Sequence, residues 1–272
     1  MNLEQLRADA ADGVTETVVL AFADMQGRLQ GKRLSARFFL DEVAGRHAEA
    51  CNYLLAVDVD MNTVDGYDMS SWERGYGDFV MVPDMSTLRR VPWQPGSVLV
   101  IADLTWHDGA PVMASPRQIL AAQIEQLASR GWTALAGTEL EFIVYQDSYE
   151  QAAARDYRDL TPANQYNVDY SILGTGRIEP LLRRIRNEMA GAGLYVESAK
   201  GECNLGQHGA GCSPWRNSGP RSVRARSTPW CSPSPTCRAG WRASACRRSS
   251  SWRRWPNTTP RAATTCSPWT WT

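Results

Sequence analysis

The chain opens with Asn2–Ala11, where Leu3 and Leu6 stand at helical spacing, and a short helix is expected there. Thr17-Val18-Val19-Leu20-Ala21-Phe22 is a β-branched and apolar run, the pattern of a strand. Gln26-Gly27-Arg28 reads as a turn, after which Arg28–Leu34 can return as the partner strand. Ser35 is placed to cap a helix carrying Phe38, Phe39 and Val43. Tyr53–Val57, Phe79–Val82 and Val98–Leu104 are three further expected strands. Short strands around one helix predict an α+β unit with mixed or mostly antiparallel pairing over residues 1–107.

A second unit is expected to begin near Pro111–Pro116. Ser115-Pro116-Arg117 is a strong helix start, with Ser at the N-cap and Pro at the first helical position. The helix it opens is expected to bury Ile119, Leu120, Ile124 and Leu127. Thr133–Tyr145 reads as a long strand, Glu179–Ala192 as an amphipathic helix, and Leu194–Ser198 as another strand.

Composition changes this picture after residue 208. The 272 residues carry 29 basic and 29 acidic side chains. Residues 209–272 hold 11 Arg and no Lys, Asp or Glu, so they are +11 and residues 1–208 are −11. The same 64 residues hold five of the seven Cys, seven of the eleven Trp and eight of the fifteen Pro, but no Leu, Ile, Met, Phe or Tyr. Without long aliphatic side chains such a segment cannot offset the entropy of ordering, and it is expected to be a disordered tail. An Arg/Trp tail could bind nucleic acid. A zinc module is disfavoured because the cysteines form no C-x-x-C pair. A disulfide cluster conflicts with a chain that shows no signal peptide and is expected to be cytoplasmic. The reading favoured by composition is out-of-frame translation of a GC-rich gene. No apolar stretch approaches the roughly 20 residues of a membrane helix.

Two segments carry candidate chemistry. In Thr138-Glu139-Leu140-Glu141-Phe142, strand alternation puts Glu139 and Glu141 on one face, one pleat apart. Leu135, Leu140, Phe142 and Val144 surround the pair. Carboxylates that close repel unless a cation lies between them, and hard divalent ions take such oxygen ligands. A solvated strand face is the plain alternative. The second segment, Val196–His208, holds Glu197 and Glu202 five residues apart, then a Gly-rich stretch ending in Gln207-His208. Glu202 could join a carboxylate metal site, whereas His208 reads as structural.

Together, Gly137-Thr138-Glu139-Leu140-Glu141-Phe142 and Gly201-Glu202-Cys203-Asn204-Leu205-Gly206-Gln207-His208 resemble the glutamine synthetase superfamily. Asp24-Met25-Gln26-Gly27-Arg28 with Gly31-Lys32-Arg33, and Gly77–Asp84, look like parts of its N-terminal β-grasp domain. The resemblance spans about residues 10–208. Its details are closest to actinobacterial enzymes that ligate glutamate to an organic amine. It implies a β-grasp domain over 1–107, the first part of a catalytic α/β domain over 108–208, and a foreign segment over 209–272. It further implies a ligase that uses ATP and Mg²⁺ or Mn²⁺ to join the glutamate γ-carboxylate to ammonia or a small amine through γ-glutamyl phosphate. By position, Glu139, Glu141 and Glu202 would be metal ligands and Glu197 a nucleotide contact. Tyr170 would belong to the ammonium pocket. Asp60 would reach a neighbouring subunit's site in a homo-oligomer. The family pattern has a further metal-binding glutamate after Gly-Gln-His, where this chain has Gly209. With that ligand and the rest of the catalytic domain lacking, the chain as written is expected not to catalyse ligation. A non-catalytic assembly protein with a nucleic-acid-binding tail is the alternative function.

Overall fold

A computed structural model describes residues 1–69, 77–134 and 136–212. Leu135 and residues 213–272 of the expected tail lie outside the described residues, whereas the tail's first four residues, expected to be disordered, form part of a strand because they pair with ordered neighbours on both sides. Helix α1 (Leu3–Ala11) starts on Asn2, whose side chain accepts from the Gln5 backbone while the Gln5 side chain accepts from the Asn2 N–H. It leads into β1 (Thr17–Ala23) and β2 (Leu29–Ser35), an antiparallel pair in register from Thr17–Ser35 to Ala23–Leu29. Strands β3 (Ala48–Cys51), β4 (Asp78–Arg90) and β5 (Ser97–Thr105) complete a five-stranded sheet of order β2-β1-β5-β4-β3. Only β1 and β5 run parallel in it.

Alternation builds the core of this sheet. Val98, Val100, Ala102 and Leu104 of β5 and Val18, Leu20 and Phe22 of β1 point inward. They meet Leu6, Phe39, Val43, Phe79 and Met81 in one cluster, with Phe22 edge-on to Phe79 at 5.1 Å between ring centroids. In β2, Gly31 has φ 154°, and a Cβ there would lie 2.0 Å from the Leu20 carbonyl oxygen. Only glycine lets the two strands approach this closely.

Several expected elements are corrected. Tyr53–Val57 is not a strand: Asn52–Leu55 forms a 3₁₀ turn, and β3 precedes it. The reason is side-chain period. Asn52 and Leu55, three residues apart, are both buried, and the Asn52 amide donates to the Met69 carbonyl at 2.8 Å. The helix after Ser35 is one α turn, α2 (Ala36–Phe38), continued as a π turn over Phe39–Val43. That wider turn buries Phe39 and Val43 together and leaves Phe38 exposed.

Helix α3 (Pro116–Ser129) begins where expected, with Ser115 at its N-cap position, although the Ser115 side chain makes no capping hydrogen bond. Its Arg117 donates to Asp103 of β5 (2.8 Å) and Asp84 of β4 (2.7 Å), which ties the helix start to the first sheet. The expected burial of its apolar stripe is overturned. Ile119, Leu120 and Ile124 are exposed and Leu127 is half-buried, because no element among the described residues covers that face.

A second sheet follows, formed by β6 (Thr138–Ile143), β7 (Val196–Gly201) and β8 (Gln207–Cys212) in the order β6-β8-β7, all antiparallel. Strand β6 is shorter than the expected Thr133–Tyr145, and β7 begins two residues later than Leu194 and runs further. Between β6 and β7 lie α4 (Tyr149–Ala154), α5 (Ile172–Thr175) and α6 (Glu179–Gly191). Leu182 of α6, with Ala163 and Ile178, packs against Phe142, Val144 and Ala199 on one face of this sheet. The other face carries the carboxylates.

Candidate metal centre

Strand pairing brings the carboxylates together. The middle strand β8 pairs Gly209 with Glu141 on one side and with Lys200 on the other, and Gly211 with Glu139. Directly opposed residues share a face. Glu139, Glu141 and Lys200 therefore project from one side of the sheet, and Glu202 joins them just past the end of β7. One oxygen from each of Glu139, Glu141 and Glu202 lies within 4.8 Å of the others.

The centre of this face bears no side chain, because the middle strand places Gly209 and Gly211 there. A Cβ on Gly209 would point into the cluster, 2.6 Å from Glu202 Oε1 and 3.2 Å from Glu139 Oε1. Both of these are the mobile ends of long side chains.

Polar neighbours orient the carboxylates. The Gln207 amide donates to Glu141 Oε2 at 2.7 Å. The Lys200 ammonium donates to Glu202 and stands 3.8 Å from Glu139 Oε1. Its hydrogen bond to Glu202 holds the Lys200 ammonium above the ordinary lysine pKa, against the smaller opposing effect of burial. The ammonium also lies over the Tyr170 ring, 4.8 Å from Nζ to the ring centroid. Tyr170 has φ 55°, and its backbone N–H donates to the Gly201 carbonyl at 3.4 Å.

The other candidates lie apart from the triad. Glu197 is exposed, at the bulge where the β7–β8 register shifts, and is not in the cluster. His208 points to the opposite, buried face, where it stacks on Phe142 at 6.3 Å with Nδ1 2.9 Å from the Gly206 carbonyl oxygen. Its Nε2 has no partner among the described residues.

Asp60 sits in an exposed loop after the first sheet's 3₁₀ turn. Asp58 forms the floor of that loop, accepting from the backbone of Asp60 and Asn62 and from the Asn62 amide. Arg28 fastens the loop by donating to the carbonyls of Val59 (2.7 Å) and Asp58 (3.1 Å), while its Nε donates to Asp24 at 2.7 Å. Sequence reasoning singles out neither Lys200 nor Gln207. The placement of Lys200 two residues before Glu202 is the available signal.

Comparison with known proteins decides the family. Residues 113–215 match the model of the glutamine synthetase catalytic domain. Over 208 residues, 76% of the chain, it is 70% identical to the gamma-glutamylethanolamide synthetase GlnA4 of Streptomyces coelicolor. The chain belongs to the glutamine synthetase superfamily. Within it, the chain is 32% identical over 193 residues, 71% of its length, to a glutamate–isopropylamine ligase of a Pseudomonas species. It spans less than half the length of these relatives, 45% and 42% respectively. Among solved structures, the ADP complex of GmaS superposes with a TM-score of 0.60 at 20% identity, covering 76% of this chain and 44% of that one. That likeness carries the glutamine-synthetase-like fold, with mixed sheets and helices. Both the family match and strand β8 run past position 209, where the composition changes.

Proposed function

We propose that the chain derives from an ATP-dependent ligase that joins the γ-carboxylate of glutamate to ammonia or a small organic amine through γ-glutamyl phosphate. The observation that carries this reading is the convergence of Glu139, Glu141 and Glu202 within 4.8 Å on one sheet face, inside the segment that matches the family. One relative is named for a gamma-glutamylethanolamide product and another for the isopropylamine it joins to glutamate, which supports an organic amine as acceptor.

The residues present fit a divalent cation. Three carboxylates supply hard oxygen donors, and the side-chain-free Gly209 leaves space at their centre. Glu139, Glu141 and Glu202 would hold Mg²⁺ or Mn²⁺, and Gln207 would orient Glu141. When bound, the metal supplies neutralisation of phosphate charge during phosphoryl transfer. Glu197 would contact the nucleotide, and the Tyr170 ring would face the acceptor amine. Asp60, on the loop fastened by Arg28, would serve a neighbouring subunit in a homo-oligomer.

In this reading residues 1–107 form a β-grasp domain and residues 108–208 the first part of the catalytic domain. ATP and glutamate are cytoplasmic substrates, and the activity belongs there. The foreign composition from residue 209 is read as out-of-frame sequence, and the chain as written does not turn over alone. Phosphate release dependent on ATP and glutamate, with ammonium, ethanolamine or isopropylamine as acceptor, tests both statements. The chain is expected to be silent, and a gene with its reading frame restored past codon 208 active. Turnover by the 272-residue chain would overturn its inactivity, and silence of the restored enzyme with every amine would overturn the ligase reading.

A further inference from the structure

The carboxylate face already contains a cation supplied by the chain. Lys200 lies across the sheet from Glu141, with only the side-chain-free Gly209 between them in the register. Its ammonium contacts Glu202, stands 3.8 Å from Glu139 Oε1, and is flanked by the Tyr170 ring. The contacts engage two of the three carboxylates that would ligate metal.

We propose that the Lys200 ammonium is the resident counter-ion of the Glu139–Glu141–Glu202 cluster and that a divalent cation enters only by displacing it. This rests on the metal reading above. Three carboxylates this close repel one another, and one ammonium offsets part of that repulsion while leaving a net negative site. A magnesium ion binds its oxygens at about 2.0–2.1 Å. If it took the oxygens that Lys200 now engages, it would lie within roughly 4–5 Å of the ammonium, where a monovalent and a divalent cation repel even in a part-exposed, solvent-screened site. The Lys200 head must leave, which its flexible four-carbon stem permits. The metal therefore works against a built-in competitor, and the metal-free protein is spared three unbalanced charges.

The test uses the full chain and its K200M and K200R variants. Manganese binding is followed by electron paramagnetic resonance, and thermal unfolding is followed in EDTA. K200M keeps much of the stem and removes the charge, so it should bind Mn²⁺ at least tenfold more tightly than the parent and melt lower in EDTA. E139Q added to K200M should recover part of that loss in EDTA. K200R should bind Mn²⁺ within about threefold of the parent. Equal or weaker Mn²⁺ binding by K200M, with the parent binding well, would overturn the displacement while leaving the metal site standing. No Mn²⁺ binding by any of the three proteins at millimolar concentration would overturn both. A K200M melting point in EDTA equal to the parent's would overturn the counter-ion role.

Discussion

Gly209→Glu places a fourth carboxylate on the candidate metal centre, and its effect should change sign with the cation. The Cβ alone would lie 2.6 Å from Glu202 Oε1 and 3.2 Å from Glu139 Oε1, so the new side chain has to extend among the three existing carboxylates. Those oxygens end flexible side chains and can shift, so the dominant cost is charge. Two unit charges 4 Å apart interact by about 1 kcal/mol in water and about 4 kcal/mol at an effective dielectric of 20. Glu139 and Glu141 are exposed and only Glu202 is largely buried, so the lower figure is the better guide. Three repulsions less one attraction to Lys200 leave roughly 2 kcal/mol of destabilisation, or about 4–8 °C in melting temperature for a folded part of this size. With Mn²⁺ the added ligand reverses the effect, and affinity should rise at least tenfold, about 1.4 kcal/mol. Differential scanning fluorimetry in EDTA and in MnCl₂ reads both signs, and Gly209→Gln supplies the same bulk without the charge. Melting temperatures that fall equally for the Glu and Gln variants in EDTA, with Mn²⁺ affinity unchanged, would refute the placement of position 209 in the cluster.

Gly31→Ala should cost about 3 kcal/mol, or roughly 6–12 °C, because its Cβ would lie 2.0 Å from a backbone carbonyl that cannot yield; a drop under 2 °C in a thermal melt would contradict that. Acid should unfold the first sheet. Burial pushes the Asp24 carboxyl up, but hydrogen bonds from Gln30, Arg28 and Gln26 together hold it below the ordinary carboxylate value, and Ser86 and Arg117 outweigh burial for Asp84 in the same way. A folded pKa below the unfolded one gives stability that is present above about pH 4 and lost as pH falls through the folded value. Circular dichroism should show a flat stability plateau that falls below about pH 4, with a shallower fall in D24N; an identical acid limb in D24N would contradict the assignment.

Alternation makes half of the site legible in the sequence itself: two glutamates separated by one residue in an apolar strand must share a face. What pairs with that face is hidden, because β8 is Gln-His-Gly-Ala-Gly-Cys and has no β-branched residue to announce a strand. Its glycines, Gly209 and Gly211, fall in the segment whose composition reads as a disordered tail, yet they are what open the centre of the carboxylate face. Local pattern likewise finds β1, β5 and the start of α3 but mistakes the Asn52–Leu55 turn for part of a strand. There a period of three, set by which side chains the first sheet buries, outweighs the apolar composition. The apolar stripe of α3 is visible in the sequence, but no element among the described residues covers it.

Anomalous diffraction at the manganese edge, from crystals of the 272-residue chain soaked in MnCl₂, tests the central claim most directly. A peak is expected bounded by carboxylate oxygens of Glu139, Glu141 and Glu202, with the Lys200 ammonium withdrawn from Glu202. Crystals that show manganese elsewhere but none at this cluster, with Lys200 still seated on Glu202, would contradict it.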